Sequence, residues 1–180
     1  MDALYEQYHD TEWGVPERDS RALFEKLILD GFQAGLSWIT ILRKREAFRE
    51  AFAGFDPEIL ATWGEAEVET LLKNAGIVRH RGKIEATLSN AQAYLEIEAR
   101  EGFDAFLWKY VEGTPLYGGY ATPAEVPTQS PLSVQISKDL RKAGFKFVGP
   151  TIVYAFMEAC GLFNNHTTKC FRCAQVRRLG

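Results

Sequence analysis

The chain has 180 residues, 46% hydrophobic and 25% charged, which fits one globular domain and excludes a disordered or collagen-like chain. No apolar run approaches the roughly 18 residues of a membrane span, and the N-terminus MDALYEQYHD is too polar and acidic for a leader peptide. The net charge is −3, yet residues 141–180 carry seven Lys/Arg against one acid, which reads either as a polyanion-facing side or as a solvated basic tail.

The predicted elements are mostly helices. Asp19 or Ser20 caps a helix through about Gln33, with Leu23, Phe24, Leu27 and Ile28 on one face. Ser37 caps the next, from Trp38 to about Phe52. Asp56-Pro57 opens a short helix, with proline just inside its start. Residues 65–74 form another, stopped by Gly76. A long amphipathic helix covers 82–100 and a short aromatic one 103–111. Residues 113–132 hold four of the seven prolines and read as an irregular Pro/Gly-rich loop. Two helices, 133–143 and 150–160, close the chain. No stretch shows sustained period-2 alternation. The expected fold is all-α: one domain over residues 1–180, in two lobes.

Three constellations carry chemistry. The first is the turn from Gly144 to Thr151, between the last two helices. Gly149 allows close backbone approach, and Pro150 suits a first helical turn. The free N–H groups of that helix, with Lys146, Arg141 and Lys142 nearby, would suit a DNA phosphate. An ordinary helix–helix turn has the same local sequence. The second is His166-x3-Cys170-x2-Cys173, a spacing compatible with zinc. With His9 it would make a His2Cys2 site joining the chain ends; otherwise it is a free cysteine pair in a tail. All three cysteines follow residue 159, so no secretory disulfide framework is expected, and a reducing cytoplasm is the expected compartment. The third is aromatic. Tyr5, Tyr8, Trp13 and Trp38 flank Asp30 in the sequence. Aromatic walls with one carboxylate suit a flat cationic base, although most aromatic rings in the chain must be core, and for any one of these four that is the favoured reading.

Longer strings narrow the reading. Tyr8-His9-Asp10-x-Glu12-Trp13-Gly14-Val15-Pro16 and Gly31-Phe32-Gln33-Ala34-Gly35-Leu36-Ser37-Trp38 resemble the bacterial 3-methyladenine DNA glycosylase I family. So do the segments Ala75–Ile84, Gly144–Gly149 and Ala159–Leu162 leading to His166. The resemblance runs from about residue 3 to residue 173. It implies a helix-hairpin-helix glycosylase that flips a 3-methyladenine nucleotide out of duplex DNA and hydrolyses its N-glycosidic bond. It implies that Tyr8 and Trp38 stack on the base and that Trp13 walls the pocket. Asp30 maps to the base-reading carboxylate and Gly35-Leu36 to the plug of the vacated stack. Lys146, Phe147 and Gly149 lie in the segment that maps to the phosphate-binding hairpin. His9, His166 and Cys170 map to three of four structural zinc ligands.

The sequence departs from the family pattern at Asp30, where glutamate is usual, and at Asn165, where aspartate is common. No cysteine precedes Cys160, which leaves Cys173 as the local candidate for a fourth ligand. After Gly149 the only acid is Glu158, inside the following helix. The sequence therefore shows no dedicated catalytic carboxylate, which favours a cationic, labile base over neutral lesions. The expected protein is a monofunctional, monomeric glycosylase acting on alkylated double-stranded DNA. A non-catalytic damage-sensing module on the same fold is the alternative.

Overall fold

In the computed structural model, residues 2–180 are described. Chain order begins with α1 (Ala3–Thr11), α2 (Ser20–Gln33), α3 (Trp38–Ala51), α4 (Pro57–Leu60) and α5 (Glu65–Leu71). It continues with α6 (Arg81–Arg100), α7 (Phe103–Trp108), α8 (Pro131–Lys142), α9 (Pro150–Ala159) and α10 (Phe171–Val176). The fold is all-α apart from a two-residue parallel pairing of β1 (Leu116–Tyr117) with β2 (Phe163–Asn164).

Short polar side chains start several helices, as their chemistry requires. The Asp19 carboxylate accepts from Ala22 N at 2.8 Å, and that of Asp56 from Glu58 N at 3.0 Å. Ser130 and Ser133 cap α8 reciprocally, which moves its start to Pro131, two residues before the expected position. Ser37 stands at the N-cap of α3, but its hydroxyl bonds Thr40 Oγ1 at 2.8 Å and satisfies no backbone N–H. The expected cap there is thus present in position only.

Buried apolar side chains form one cluster from Leu23 to Leu162. Its centre is aromatic: Phe24, Phe32, Phe48, Phe52, Phe55, Phe103 and Phe156 are all buried. Each such side chain contributes about 1.5–3 kcal/mol of transfer free energy. The 20-residue helix α6 packs against α2, α4, α5 and α7, while α9 packs against α2 and α8. This arrangement brings the C-terminal half of α2 between α6 on one side and α9 on the other.

Two features leave no clear signal in the sequence. Helix α1 is capped by Asp2, whose Oδ1 accepts from Leu4 N at 3.0 Å. The Pro/Gly-rich loop is anchored rather than wholly irregular. Leu116 N donates to Leu162 O at 2.8 Å, Gly118 N to Asn164 O at 3.1 Å, and Thr168 N to Tyr120 O at 2.9 Å. The loop therefore folds back on the segment that leads into His166.

Candidate active site

The cavity that holds the predicted site residues lies between α1, α2, α3 and α9. It encloses about 630 Å³, and its wall includes Tyr8, Trp13, Asp30 and Trp38. Tyr8 is buried on α1, and Trp38 is the first residue of α3. Their ring centroids stand 5.4 Å apart at an interplanar angle of 45°. A bidentate pair fixes α1 to α3 behind them: Arg45 Nη2 donates to Glu12 Oε1 at 2.9 Å, and Nη1 donates to Oε2. Trp13 N donates to Tyr8 O at 3.0 Å, which turns the Trp13 segment back over the end of α1.

Asp30, near the C-terminus of α2, is only 4% exposed. Among the described residues its Oδ2 has no hydrogen-bond partner, nor has Trp38 Nε1. Both are buried polar atoms that would each cost about 1–3 kcal/mol if left unpaired. Burial pushes the Asp30 carboxyl up to about 8; Lys26 opposes this and Glu158 adds to it. Lys26 stands on the far side, in a second cavity of about 270 Å³ that shares Tyr8, Asp30, Trp38 and Ala159 with the first. Burial, and after it the charge of Asp30, likewise holds the Tyr8 phenol well above its ordinary range.

Glu158, the only acid after Gly149, has a place that the sequence did not indicate. It lines the same large cavity, so a carboxylate after the hairpin does reach the site. Asn165 Nδ2 donates to its Oε1 at 2.9 Å and to the Tyr154 hydroxyl at 2.9 Å. Burial pushes the Glu158 carboxyl up to about 7, and the bond from Asn165 opposes the shift.

The segment between α2 and α3 presents Gly35 and Leu36 to solvent. Gly35 has φ +81°, a conformation that suits glycine, and Leu36 is 43% exposed. Lys83, buried on α6, holds this segment: its Nζ donates to Phe32 O at 2.9 Å and to Ala34 O at 2.6 Å. These are carbonyls at the C-terminus of α2, where a cation is favoured.

The turn between α8 and α9 is built equally firmly. Phe145 and Val148 are buried, while Lys146 and Phe147 face outward. Phe147 has φ +55°, a strained backbone for a bulky residue. Asn90, buried on α6, clamps the peptide beside it. Its Nδ2 donates to Lys146 O at 3.0 Å, and its Oδ1 accepts from Lys146 N at 2.8 Å. Ser137 Oγ donates to Val148 O at 2.6 Å. Gly31 brings α2 against this turn: a Cβ there would meet Phe147 O at 3.3 Å. Among the described residues, no acid pairs with Arg141, Lys142 or Lys146. Lys83 and Asn90 escaped sequence reading because each sits on the buried face of an amphipathic helix, far along the chain from the turn it holds.

His9, His166 and Cys170 converge, their ligand atoms all within 4.8 Å of one another. Cys170 Sγ lies 3.7 Å from His9 Nε2 and 3.6 Å from His166 Nδ1. Tetrahedral zinc bonds to sulfur and nitrogen imply an S···N separation of about 3.6 Å. The remaining ring nitrogens are held by oxygen acceptors, as those of metal-bound imidazoles usually are. His9 Nδ1 meets Asp10 Oδ1 at 2.8 Å, and His166 Nε2 meets Trp13 O at 3.0 Å. Burial pushes the His166 imidazole down to about 4, which keeps it neutral; the bond to Trp13 opposes the shift. The donor set therefore fits a zinc ion. Cys173 does not join it. It lies inside α10, buried, with Sγ against the Tyr117 hydroxyl at 3.7 Å. Among the described residues no fourth His, Cys, Asp or Glu completes the cluster.

An aromatic cavity with an unpaired carboxylate is the kind of site that suits a flat, electron-poor ring. Comparison narrows the class. The methyladenine glycosylase family model matches residues 1–173. DNA-3-methyladenine glycosylase 1 of Escherichia coli (strain K12) is 53% identical over 171 residues, covering 94% of this chain and 91% of the relative. A crystal structure of 3-methyladenine DNA glycosylase I superposes with a TM-score of 0.94 at 55% identity, covering 95% of this chain and 94% of the other. A variant of such an enzyme in complex with 3-methyladenine superposes with a TM-score of 0.92 at 44% identity, covering 94% and 92%. The chain belongs to the methyladenine glycosylase family.

Proposed function

We propose that the protein excises 3-methyladenine from alkylated double-stranded DNA by hydrolysing the N-glycosidic bond, leaving an abasic site uncut. One observation carries the reading: a cavity walled by Tyr8, Trp13 and Trp38 contains the buried, unpartnered Oδ2 of Asp30. In this reading the flipped base stacks against Tyr8 and Trp38, with Trp13 closing one wall. Asp30 accepts from the exocyclic amino group and offsets the charge of the ring. Leu36 enters the vacated stack as an apolar wedge. The hairpin from Lys146 to Gly149 holds a phosphate with backbone N–H groups and the lysine charge. Extrusion costs a few kcal/mol, which the pocket, the wedge and the phosphate contacts return.

The chemistry asks little more of the protein. An N3-methylated adenine is cationic and already a good leaving group. As the bond breaks, its electrons pass to the ring and positive charge passes to the sugar, so the pocket's part is to select the flipped base and hold it in the orientation for bond breaking. The His9, His166 and Cys170 set would hold one zinc ion, whose part is structural: it ties α1 to the segment before α10. Among the described residues no helix is long and apolar enough to cross a membrane. We read the protein as a cytoplasmic monomer; among the described residues none of its three cysteines is in a disulfide, in keeping with a reducing compartment.

The test is base release from methylated duplex DNA, with released bases resolved and counted. The expected result is 3-methyladenine above the buffer control with intact strands. Folded protein that releases no base would leave only the damage-sensing alternative. Strand nicking without added heat or alkali would exclude the monofunctional reading.

A further inference from the structure

The large cavity has an uneven charge lining. Four acids contribute to its wall (Glu6, Asp10, Asp30 and Glu158), and no lysine or arginine does. Among the described residues neither Asp30 nor Glu158 is part of an ion pair. Asp30 comes from α2 and Glu158 from α9, two helices packed directly on each other. A buried Asp30 atom waits without a donor. Glu158 is held by Asn165 through one oxygen, and its other oxygen has no partner among the described residues. Two carboxylates placed this way disfavour each other's ionisation unless a cation joins them.

Resting on the glycosylase reading, we infer that Glu158 is a second base-reading carboxylate, which faces the flipped ring beside Asp30 and selects it for positive charge. Both carboxylates line the one cavity, from two helices packed directly on each other. Asp30 is one methylene shorter than a glutamate, and a second carboxylate from the opposing helix compensates for lost reach. Burial raises both carboxyls toward neutrality. A neutral ring gives them no reason to ionise. A cationic ring does, and the low-dielectric walls strengthen that attraction. The discrimination is therefore built from charge as well as shape.

The experiment uses the full chain and three proteins: parent, Glu158→Gln and Glu158→Asp. Glutamine keeps the length and the acceptor for Asn165 but removes the charge; aspartate keeps the charge. Tryptophan fluorescence measures binding of N3,N9-dimethyladeninium, a permanent cation, and of neutral adenine. The parent should prefer the cation. Glu158→Gln should weaken cation binding about tenfold, the low end for a bond to a charged group, and leave adenine binding unchanged. Glu158→Asp should recover much of the preference. Single-turnover release of 3-methyladenine from methylated DNA should fall with Glu158→Gln by a similar factor, at unchanged affinity for plain duplex. Equal loss for both ligands would reduce Glu158 to a support for Asn165 and overturn the inference. So would unchanged cation binding, with or without a slower release step. A parent that binds the cation selectively yet releases no base from DNA would refute the glycosylase reading and leave the role of Glu158 to be judged on the binding data.

Discussion

Replacing Asp30 by asparagine should make the protein more stable and less active. The side chain keeps its shape but loses its charge and one acceptor. Burial has raised the carboxyl from 3.8 to about 8. A carboxyl whose pKa rises on folding binds its proton more tightly in the folded state. Its contribution to stability is full below about 4 and is lost as the pH rises through 8. Each tenfold change in proton affinity between the unfolded and folded states is worth about 1.4 kcal/mol, so a carboxylate left charged in this cavity costs several kcal/mol. Asparagine does not titrate, so Asp30→Asn and parent should have similar stability near pH 4, and the variant should pull ahead steadily toward pH 8.5. Excision should move the other way. Losing a hydrogen bond to a charged group removes about 1.5–3 kcal/mol of transition-state stabilisation, roughly a ten- to hundred-fold slower release of 3-methyladenine. Urea unfolding at pH 4.5, 6.5 and 8.5, with single-turnover base release at each pH, tests both halves. Parallel stability profiles for parent and variant would show that Asp30 is not a strained buried acid. Excision at the parent rate would show that it does not read the base.

Other outcomes follow from the same geometry. Lys146→Ala should weaken binding to every duplex, damaged or not, and lower the salt-dependence slope by about one, as titrations across a salt series would show. Asn90→Ala leaves the Lys146 peptide unclamped beside the strained Phe147, and should cost about 1–2 kcal/mol in chemical denaturation along with several-fold in duplex affinity. Metal analysis of protein purified without added zinc should give one zinc per chain; Cys170→Ser should lose it and lower the melting temperature, while Cys173→Ser should keep it.

The site was legible where residue identity alone carries chemistry. Tyr8, Trp13, Trp38 and Asp30 stood out as an aromatic set around one acid, their separate roles came from the family resemblance, and the fold brings all four to one cavity; the hairpin was visible because glycine and proline mark its turn. Cys173 misled because spacing in sequence is not spacing in a helix. Cys170 is the N-cap of α10 and Cys173 lies inside it, so one thiol turns toward the histidines and the other toward Tyr117. Glu158 was visible as a residue but not as a wall of the cavity, since only the packing of α9 on α2 decides which face of α9 meets Asp30. The β1–β2 pairing escaped for a different reason. Two residues are too few for alternation to register, and the partners lie 47 positions apart.

Helix α6 shows how the two segments proposed to face DNA are kept in register. Lys83 and Asn90 are seven residues apart, about 10 Å along the axis and on the same face. One binds the carbonyls before the Gly35-Leu36 turn and the other binds the hairpin peptide at Lys146. Between them α2 lies close enough to the hairpin that Gly31 has no room for a side chain without displacing Phe147. The proposed wedge and phosphate clamp are thereby referred to one rigid rod. A nucleotide can only be held out of the duplex if the group that fills its place and the group that grips its backbone stay at a fixed separation. Flexible loops would lose that separation to entropy at each encounter. Two buried polar side chains on a single helix provide it.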